Sequence, residues 1–221
     1  MSSSAPSSAA TLDLWQAADG LPPVARALAL ASAVGCRPAD ELARLPIGQR
    51  DACVLPLAPP VLEATAPCPA CGEAAEFSLA TETLARSEAT VPAPTAVAWR
   101  SPDSRDVAAA AAAPDAAAAE RILLERCSAV NLSSEQRAEV CRAMAAADPL
   151  AEVLVDVECP ACATAFVADI DVAAFVWAGV RARALRLLRE VDTLARAYGW
   201  TEAEVLALGD RRREAYLELV G

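Results

Sequence analysis

The cysteines offer the most specific chemistry in this sequence. Two copies of Cys-Pro-Ala-Cys place Cys68 and Cys71 in one pair and Cys159 and Cys162 in a second. A Cys-x-x-Cys turn lets two sulfurs approach one metal ion, and structural zinc sites take four thiolate or imidazole ligands in a tetrahedron. Because the sequence contains no histidine, we predict that these four cysteines together hold one structural Zn²⁺ ion.

The separation of the two motifs is large for a zinc site. Residues 72–158, a span of 87, lie between them, compared with about 12–20 in compact zinc modules. Closing a loop of this size costs about 4–5 kcal/mol, whereas zinc binding to such ligands contributes about 10–16 kcal/mol in small peptides. The binding free energy is larger, so the separation does not exclude a shared site.

The residues that follow the two motifs differ. Gly72 suits the left-handed backbone that such a turn often needs, whereas Ala163 at the equivalent position does not. The backbone of the second turn is therefore expected to be more strained than that of the first.

Three other uses of the four cysteines stay open. Disulfides are one, although a reducing cytosol favours metal sites. A redox-active pair needs a helix N-terminus to lower a thiolate pKa, whereas both motifs lead into strand-like sequence. An iron–sulfur cluster is the third, so the sequence leaves open whether the metal is zinc or iron. The other cysteines lack paired spacing and are predicted to be small buried side chains: Cys36, Cys53, Cys127 and Cys141.

Composition and periodicity predict the elements that carry these motifs. Hydrophobic residues make up 55% of the chain, much of it alanine, and aromatic residues only 4%, which favours helices. Residues 151–158 alternate as a strand and 165–170 form a return strand, so the second motif lies at a hairpin tip. An apolar stripe then predicts a long helix over 172–198, closed by Gly199.

We therefore predict a mainly α fold with a small β zinc-ribbon element (α+β) and helical segments inserted between the two zinc knuckles. The predicted regions are a disordered tail 1–11, an N-terminal helical region 12–62, a first zinc knuckle 63–80, a mostly helical insertion 81–150, a second knuckle hairpin 151–170 and C-terminal helices 171–221.

Charge and residue types exclude several functions. The net charge is −11, and the sequence contains neither lysine nor histidine, which rules out histidine triads, Schiff-base lysines and the P-loop lysine. The pattern predicts no enzyme. An acidic chain is also repelled by phosphate backbones, no apolar run is long enough for a membrane span, and the N-terminus does not resemble a secretory signal. We expect a cytoplasmic protein.

Several segments together resemble a known family: CPACGEAAEFSL, VLVDVECPACATAFVADIDVAAFVW and LLREVDTLARAYGWTEAEVLALGDRRREAYLELV, with LPIGQRDACVL and WRSPDSRD in addition. In this order they resemble T4-type phage baseplate or tail-assembly proteins of prophages and contractile injection systems. The resemblance implies a baseplate-associated structural or assembly component of a contractile phage-tail-like particle, without catalytic activity. It also implies the four cysteines as metal ligands and other baseplate or tail subunits as partners.

Aromatic side chains are the candidate partner contacts, since aromatic anchors dominate interface energetics. They are Trp177, Tyr198, Trp200 and Tyr216. We expect no nucleic acid, membrane or small-molecule substrate. Two alternatives stay open: a zinc-ribbon adaptor that binds nucleic acid or the transcription machinery, which the paired knuckles suggest, and a thiol oxidoreductase, which the Cys-x-x-Cys pairs suggest.

Overall fold

The computed structural model describes residues 6–35, 37–86, 89–92, 94–128 and 131–221. Within these ranges the chain is mainly helical with two small antiparallel sheets, which confirms the predicted fold class. The helices are α1 Ser8–Ala18, α2 Pro23–Ala33, α3 Ala39–Leu42, α4 Ile47–Ala52, α5 Thr81–Ala85, α6 Ser104–Ala110, α7 Ala116–Cys127, α8 Ser134–Ala147, α9 Val172–Tyr198, α10 Glu202–Ala207 and α11 Asp210–Val220, with a 3₁₀ turn at Leu55–Leu57. The strands are β1 Val61–Pro67, β2 Ala74–Ala80, β3 Val153–Glu158 and β4 Ala165–Ile170.

Helix α9 organises the core, and its bounds agree with the sequence prediction. Asp171 caps its start by accepting a hydrogen bond from the N–H of Ala174, and Gly199 ends it with a φ of 71°. The buried residues recur in steps of three and four along the face that packs on α1 and α2: Val172, Ala173, Val176, Trp177, Val180, Ala184, Leu187 and Leu194. Since each fully buried valine or leucine contributes about 1.5–3 kcal/mol, this stripe holds α9 against the core. Among the described residues no helix, α9 included, is both long and apolar enough to cross a membrane.

Helix α1 begins earlier than the sequence suggested. The hydroxyl of Ser7 accepts a hydrogen bond from the N–H of Ala10 at 3.2 Å, which caps the helix at Ser8. The predicted disordered tail is therefore wrong for residues 8–11, which are helical because Ser7 caps them and because Thr11 is buried. Residues 1–5 of that tail lie outside the described part of the chain.

The four strands form two separate hairpins. In the first, Leu62 pairs with Leu79 and Pro67 with Ala74, and β3 pairs with β4 in the same antiparallel manner. Strand β1 goes beyond the sequence prediction, which assigns 12–62 to a helical region and 63–80 to the first zinc knuckle. Its pairing with β2 places the first Cys-Pro-Ala-Cys motif at a hairpin tip, as in the second.

The two hairpins contact each other through their own small apolar cluster. Its buried members are Ala75 of β2, Val157 of β3 and Ala168 of β4, with Phe77 and Phe166 packed against them. This cluster adjoins the main core around α9, since Val155 packs against both. It holds the two hairpins side by side, so that their tips lie together.

Candidate metal centre

Each cysteine pair lies on a tight backbone loop that closes the tip of its hairpin. In the first loop the N–H of Cys68 donates to the carbonyl of Glu73 at 2.8 Å, and the N–H of Gly72 donates back to the carbonyl of Cys68 at 2.8 Å. These two hydrogen bonds turn the chain sharply enough to direct the Cys68 and Cys71 sulfurs to the same side.

The second loop repeats this pattern. The N–H of Cys159 donates to the carbonyl of Thr164 at 3.0 Å, and the N–H of Ala163 donates to the carbonyl of Cys159 at 2.9 Å. Both loops also need a left-handed residue after the second cysteine, with φ 78° at Gly72 and 57° at Ala163. Among the described residues other than glycine, Ala163 alone has a positive φ, so this loop is strained where a glycine would not be.

The structure brings all four predicted ligands together. Their sulfur atoms all lie within 4.8 Å of one another, with Cys68 3.7 Å from Cys162 and Cys71 3.6 Å from Cys159. These distances exceed the roughly 2.05 Å of a disulfide bond. A tetrahedron with Zn–S bonds of about 2.3 Å has sulfur–sulfur edges of about 3.8 Å. The four cysteines therefore form a cluster that could bind one metal ion.

The cluster is buried on one side and open on the other. Cys68 and Cys159, the first cysteine of each motif, are 2% and 1% exposed. Cys71 and Cys162, the second cysteine of each motif, are exposed. A bound ion would thus sit at the end of the paired hairpins, reachable by a competing chelator while remaining fixed by two buried ligands.

The local hydrogen bonds give the exposed thiols different acidities. The hydroxyl of Thr164 lies 3.2 Å from the Cys162 sulfur and, with the Thr164 backbone N–H, lowers the Cys162 pKa to about 6. The backbone N–H of Glu73 lowers the pKa of Cys71, but the neighbouring sulfurs outweigh it and raise that pKa to about 12. The thiols of the cluster therefore hold their protons unequally, and metal binding displaces the protons that they hold.

Thr164 is the residue of this site that the sequence analysis missed. The signal available in the sequence is a hydroxyl residue two positions after the last cysteine of a metal-binding motif. At the same offset the first motif has Glu73, which contributes through its backbone N–H instead.

The aromatic residues predicted to bind a partner divide into two groups. Trp177 is 7% exposed and belongs to the main core, with the guanidinium of Arg26 5.1 Å from its ring centre. Tyr198, Trp200 and Tyr216 form one cluster, in which Tyr198 stacks on Trp200 at 4.7 Å and Tyr216 meets both rings edge-on. Burial leaves Trp177 little surface for a partner, because it lies on the inner stripe of α9. Partner binding stays a prediction for the three C-terminal rings.

The remaining cysteines lie apart from the cluster. Cys127 is buried, as predicted, and Cys53 is half-buried. Cys141 is exposed on α8, which corrects the prediction that it is buried, because the inner face of that helix is formed by Val140 and Ala143. The same prediction for Cys36 lies outside the described residues.

Comparisons of the chain with protein-family models, with curated proteins and with solved structures find no match. The four-sulfur cluster is thus the observation on which a function rests.

Proposed function

We propose that Cys68, Cys71, Cys159 and Cys162 hold one structural Zn²⁺ ion, and that the chain is a non-enzymatic assembly or baseplate component of a contractile phage-tail-like particle. The observation that carries the zinc proposal is the spacing of the four sulfurs, with two distances of 3.6 and 3.7 Å near those of a ZnS₄ tetrahedron. The particle assignment follows the resemblance of the sequence segments.

The donor set favours a structural ion. Four protein thiolates complete the tetrahedron and leave no coordination position for a substrate or a reactive water, as a catalytic zinc requires. The ion would join two hairpins that are far apart in sequence, and its binding free energy exceeds the cost of closing the intervening loop. Zinc would then fix the relative position of the hairpins and of α9, which follows β4 directly.

The same geometry disfavours the two redox alternatives. A thiol oxidoreductase requires an attacking thiolate and a resolving partner within one motif, usually at a helix N-terminus. Here both motifs lie at hairpin tips, and the closest sulfur contacts given above run between the motifs. A cluster of several irons would hold its cysteine sulfurs farther apart than the 4.8 Å within which all four lie, so a single tetrahedral ion fits best. Metal analysis separates zinc from iron.

The charge of the hairpins supports a protein partner over nucleic acid. Residues 61–80 and 153–170 contain six acidic side chains and no basic one: Glu63, Glu73, Glu76, Asp156, Glu158 and Asp169. A Zn²⁺ ion with four thiolates adds a formal charge of −2. Such a surface repels a phosphate backbone and favours the basic surface of a protein.

Metal analysis and co-purification test the two parts of the proposal separately. The zinc part predicts one zinc per chain in reduced protein purified without added metal. The particle part predicts that a tagged chain co-purifies with tube, sheath or baseplate-wedge subunits from its native host, and that its deletion abolishes assembled particles in electron micrographs. Normal particles in the deletion strain would refute the assembly role, while binding of DNA or RNA at physiological salt would support the adaptor alternative.

A further inference from the structure

A cavity of about 440 Å³ lies where α2, α4 and the start of α9 meet. The described residues that line it include none of the four cysteines, so it is distinct from the metal centre. Val24, Ile47 and Leu150 contribute apolar wall, and Asp51 and Asp171 contribute carboxylates. Its volume lies within the range of about 300–1,000 Å³ typical of sites for small ligands.

The most unusual group in this cavity is the carboxylate of Asp51, of which only one oxygen accepts a hydrogen bond from the described part of the chain. Asp51 is 4% exposed and the adjacent Arg50 is 5% exposed. Two nitrogens of the Arg50 guanidinium, Nε and Nη2, lie 2.7 Å from the same Asp51 oxygen, Oδ1. The third, Nη1, donates to Ser104 at 3.1 Å. The other oxygen of Asp51 accepts no hydrogen bond from the described residues. It is not among the fully enclosed polar atoms that lack a partner, so solvent or a ligand can reach it.

Further carboxylates surround Asp51. Asp148 accepts a hydrogen bond from the N–H of Gly48 at 2.8 Å, and Asp171 caps α9. The charges of Asp148 and Asp171 both act on Asp51, and burial, as the largest cause, raises its pKa to about 6. Asp169 also lines the cavity. The negative charges of these carboxylates outnumber the single positive charge of Arg50.

The other cation of the cavity wall is engaged elsewhere. Arg26 lines the cavity, but its guanidinium lies over the Trp177 ring and its Nη2 donates to the carbonyl of Leu21 at 2.7 Å. Its Nε is enclosed without a hydrogen-bond partner among the described residues, where a ligand in the cavity does not reach it. The N-terminus of α9 would favour an anion, yet Asp171 already supplies one there. The reachable oxygen of Asp51 therefore calls for a hydrogen-bond donor, and the carboxylates of Asp169 and Asp171 favour one with positive charge.

We propose that this cavity binds a cationic group, a guanidinium or a primary ammonium, which donates a hydrogen bond to the unpartnered oxygen of Asp51. The apolar wall contacts the methylene stem that carries the cation. The cation belongs either to a free amine or to an arginine or lysine side chain of another protein. This inference does not depend on the metal centre or on the particle role.

The test uses the chain of 221 residues, purified under reducing conditions, and two probes, n-propylammonium and n-propylguanidinium chloride, at constant ionic strength. Nuclear magnetic resonance titration should show saturable shifts of the backbone amides of Ile47, Arg50 and Ala173. The neutral 1-propanol and the anionic butyrate should produce no such saturation. Asp51→Asn should weaken cation binding about tenfold or more, because it removes a charge-assisted hydrogen bond. Asp192→Asn, an exposed change on the far part of α9, should leave binding unchanged.

A second variant keeps the test valid if Asp51→Asn does not fold. Ala174→Leu adds volume to the cavity wall at an exposed helical position, leaves Arg50 and Asp51 unchanged in type, and should also weaken binding. Blocked arginine, acetyl-Arg-amide, distinguishes the two sources: binding as tight as that of propylguanidinium indicates a protein side chain, and failure to bind indicates a free amine. Absence of saturable binding, equal binding of propanol, or undiminished binding by folded Asp51→Asn would overturn the proposal.

Discussion

The left-handed backbone at the two metal-binding loops leads to a paired prediction. Gly72 and Ala163 occupy equivalent positions, with φ of 78° and 57°, but only Gly72 lacks the side chain that makes this conformation costly. Replacing Ala163 by glycine should therefore stabilise the protein, and replacing Gly72 by alanine should destabilise it. A Cβ at Gly72 would meet no atom within 4 Å, so its effect comes from the backbone conformation and from no steric clash.

The magnitude follows from two opposing contributions. The left-handed conformation costs a residue with a Cβ about 1–2 kcal/mol. Glycine loses about 0.5–1 kcal/mol more conformational entropy than alanine on folding. The difference predicts that Ala163→Gly raises the free energy of unfolding by about 0.5–1 kcal/mol, and that Gly72→Ala lowers it by a similar amount.

Urea unfolding followed by circular dichroism, at one fixed free zinc concentration for all variants, measures both changes. The urea midpoint should move up for Ala163→Gly and down for Gly72→Ala, with the slope unchanged. The double variant should return close to the wild-type midpoint. A lower midpoint for Ala163→Gly would refute the inference that this loop is strained.

Three further predictions test other parts of the structure. In a chelator competition assay, Cys68→Ser should lower zinc affinity by more than about a hundredfold, since even groups that only contact a ligand are worth about 10–100-fold. The control Cys141→Ser, on the exposed face of α8, should leave zinc affinity unchanged. Gly48→Ala should destabilise the protein by about 3 kcal/mol or more, because the added Cβ would lie 2.4 Å from Asp148 Oδ1 and 2.6 Å from the backbone nitrogen of Ala151. Gly179→Ala has no neighbouring atom within 4 Å and should instead stabilise the protein by about 0.5–1 kcal/mol. Similar effects of the two variants in urea unfolding would contradict the packing around Gly48. Asp106 is buried between Arg100 and Arg126, which hold its pKa below the usual value. Its contribution to the free energy of unfolding is therefore complete above about pH 4 and is lost as the pH falls further. Asp106→Asn should lower the free energy of unfolding by about 3 kcal/mol at pH 7, and a difference from wild type that does not shrink towards pH 3 would refute this.

The parts of the fold that local sequence determines were predictable. The stripe of α9 and the cap at Gly199 act within one helix, and the alternation of β3 lies within one strand, so each could be inferred without knowing its neighbours. Strand β1 was missed because Val61–Pro67 contains two alanines and a proline and is a strand through its pairing with β2, a tertiary contact. Trp177 was assigned to a partner although it lies on the buried stripe, because residue type was weighed above helical position.

At the candidate sites, too, features set by local sequence were predictable and features set by tertiary contacts were not. Spacing and residue type identified the four cysteines, since Cys-x-x-Cys restricts the loop that carries it. The free oxygen of Asp51 could not be anticipated, because it depends on how Arg50 is oriented by Ser104 and on carboxylates contributed by distant segments. Such a site arises where residues of α2, α4 and the start of α9 line one cavity, which no local pattern encodes.

X-ray absorption spectroscopy at the zinc edge, on reduced protein purified without added metal, tests the central claim most directly. We expect one zinc per chain coordinated by four sulfurs at about 2.3 Å, and loss of cooperative unfolding after removal of the metal by a chelator. Metal-free protein that still unfolds cooperatively in chelator, or a spectrum that requires oxygen or nitrogen ligands, would contradict the structural role assigned to the four cysteines.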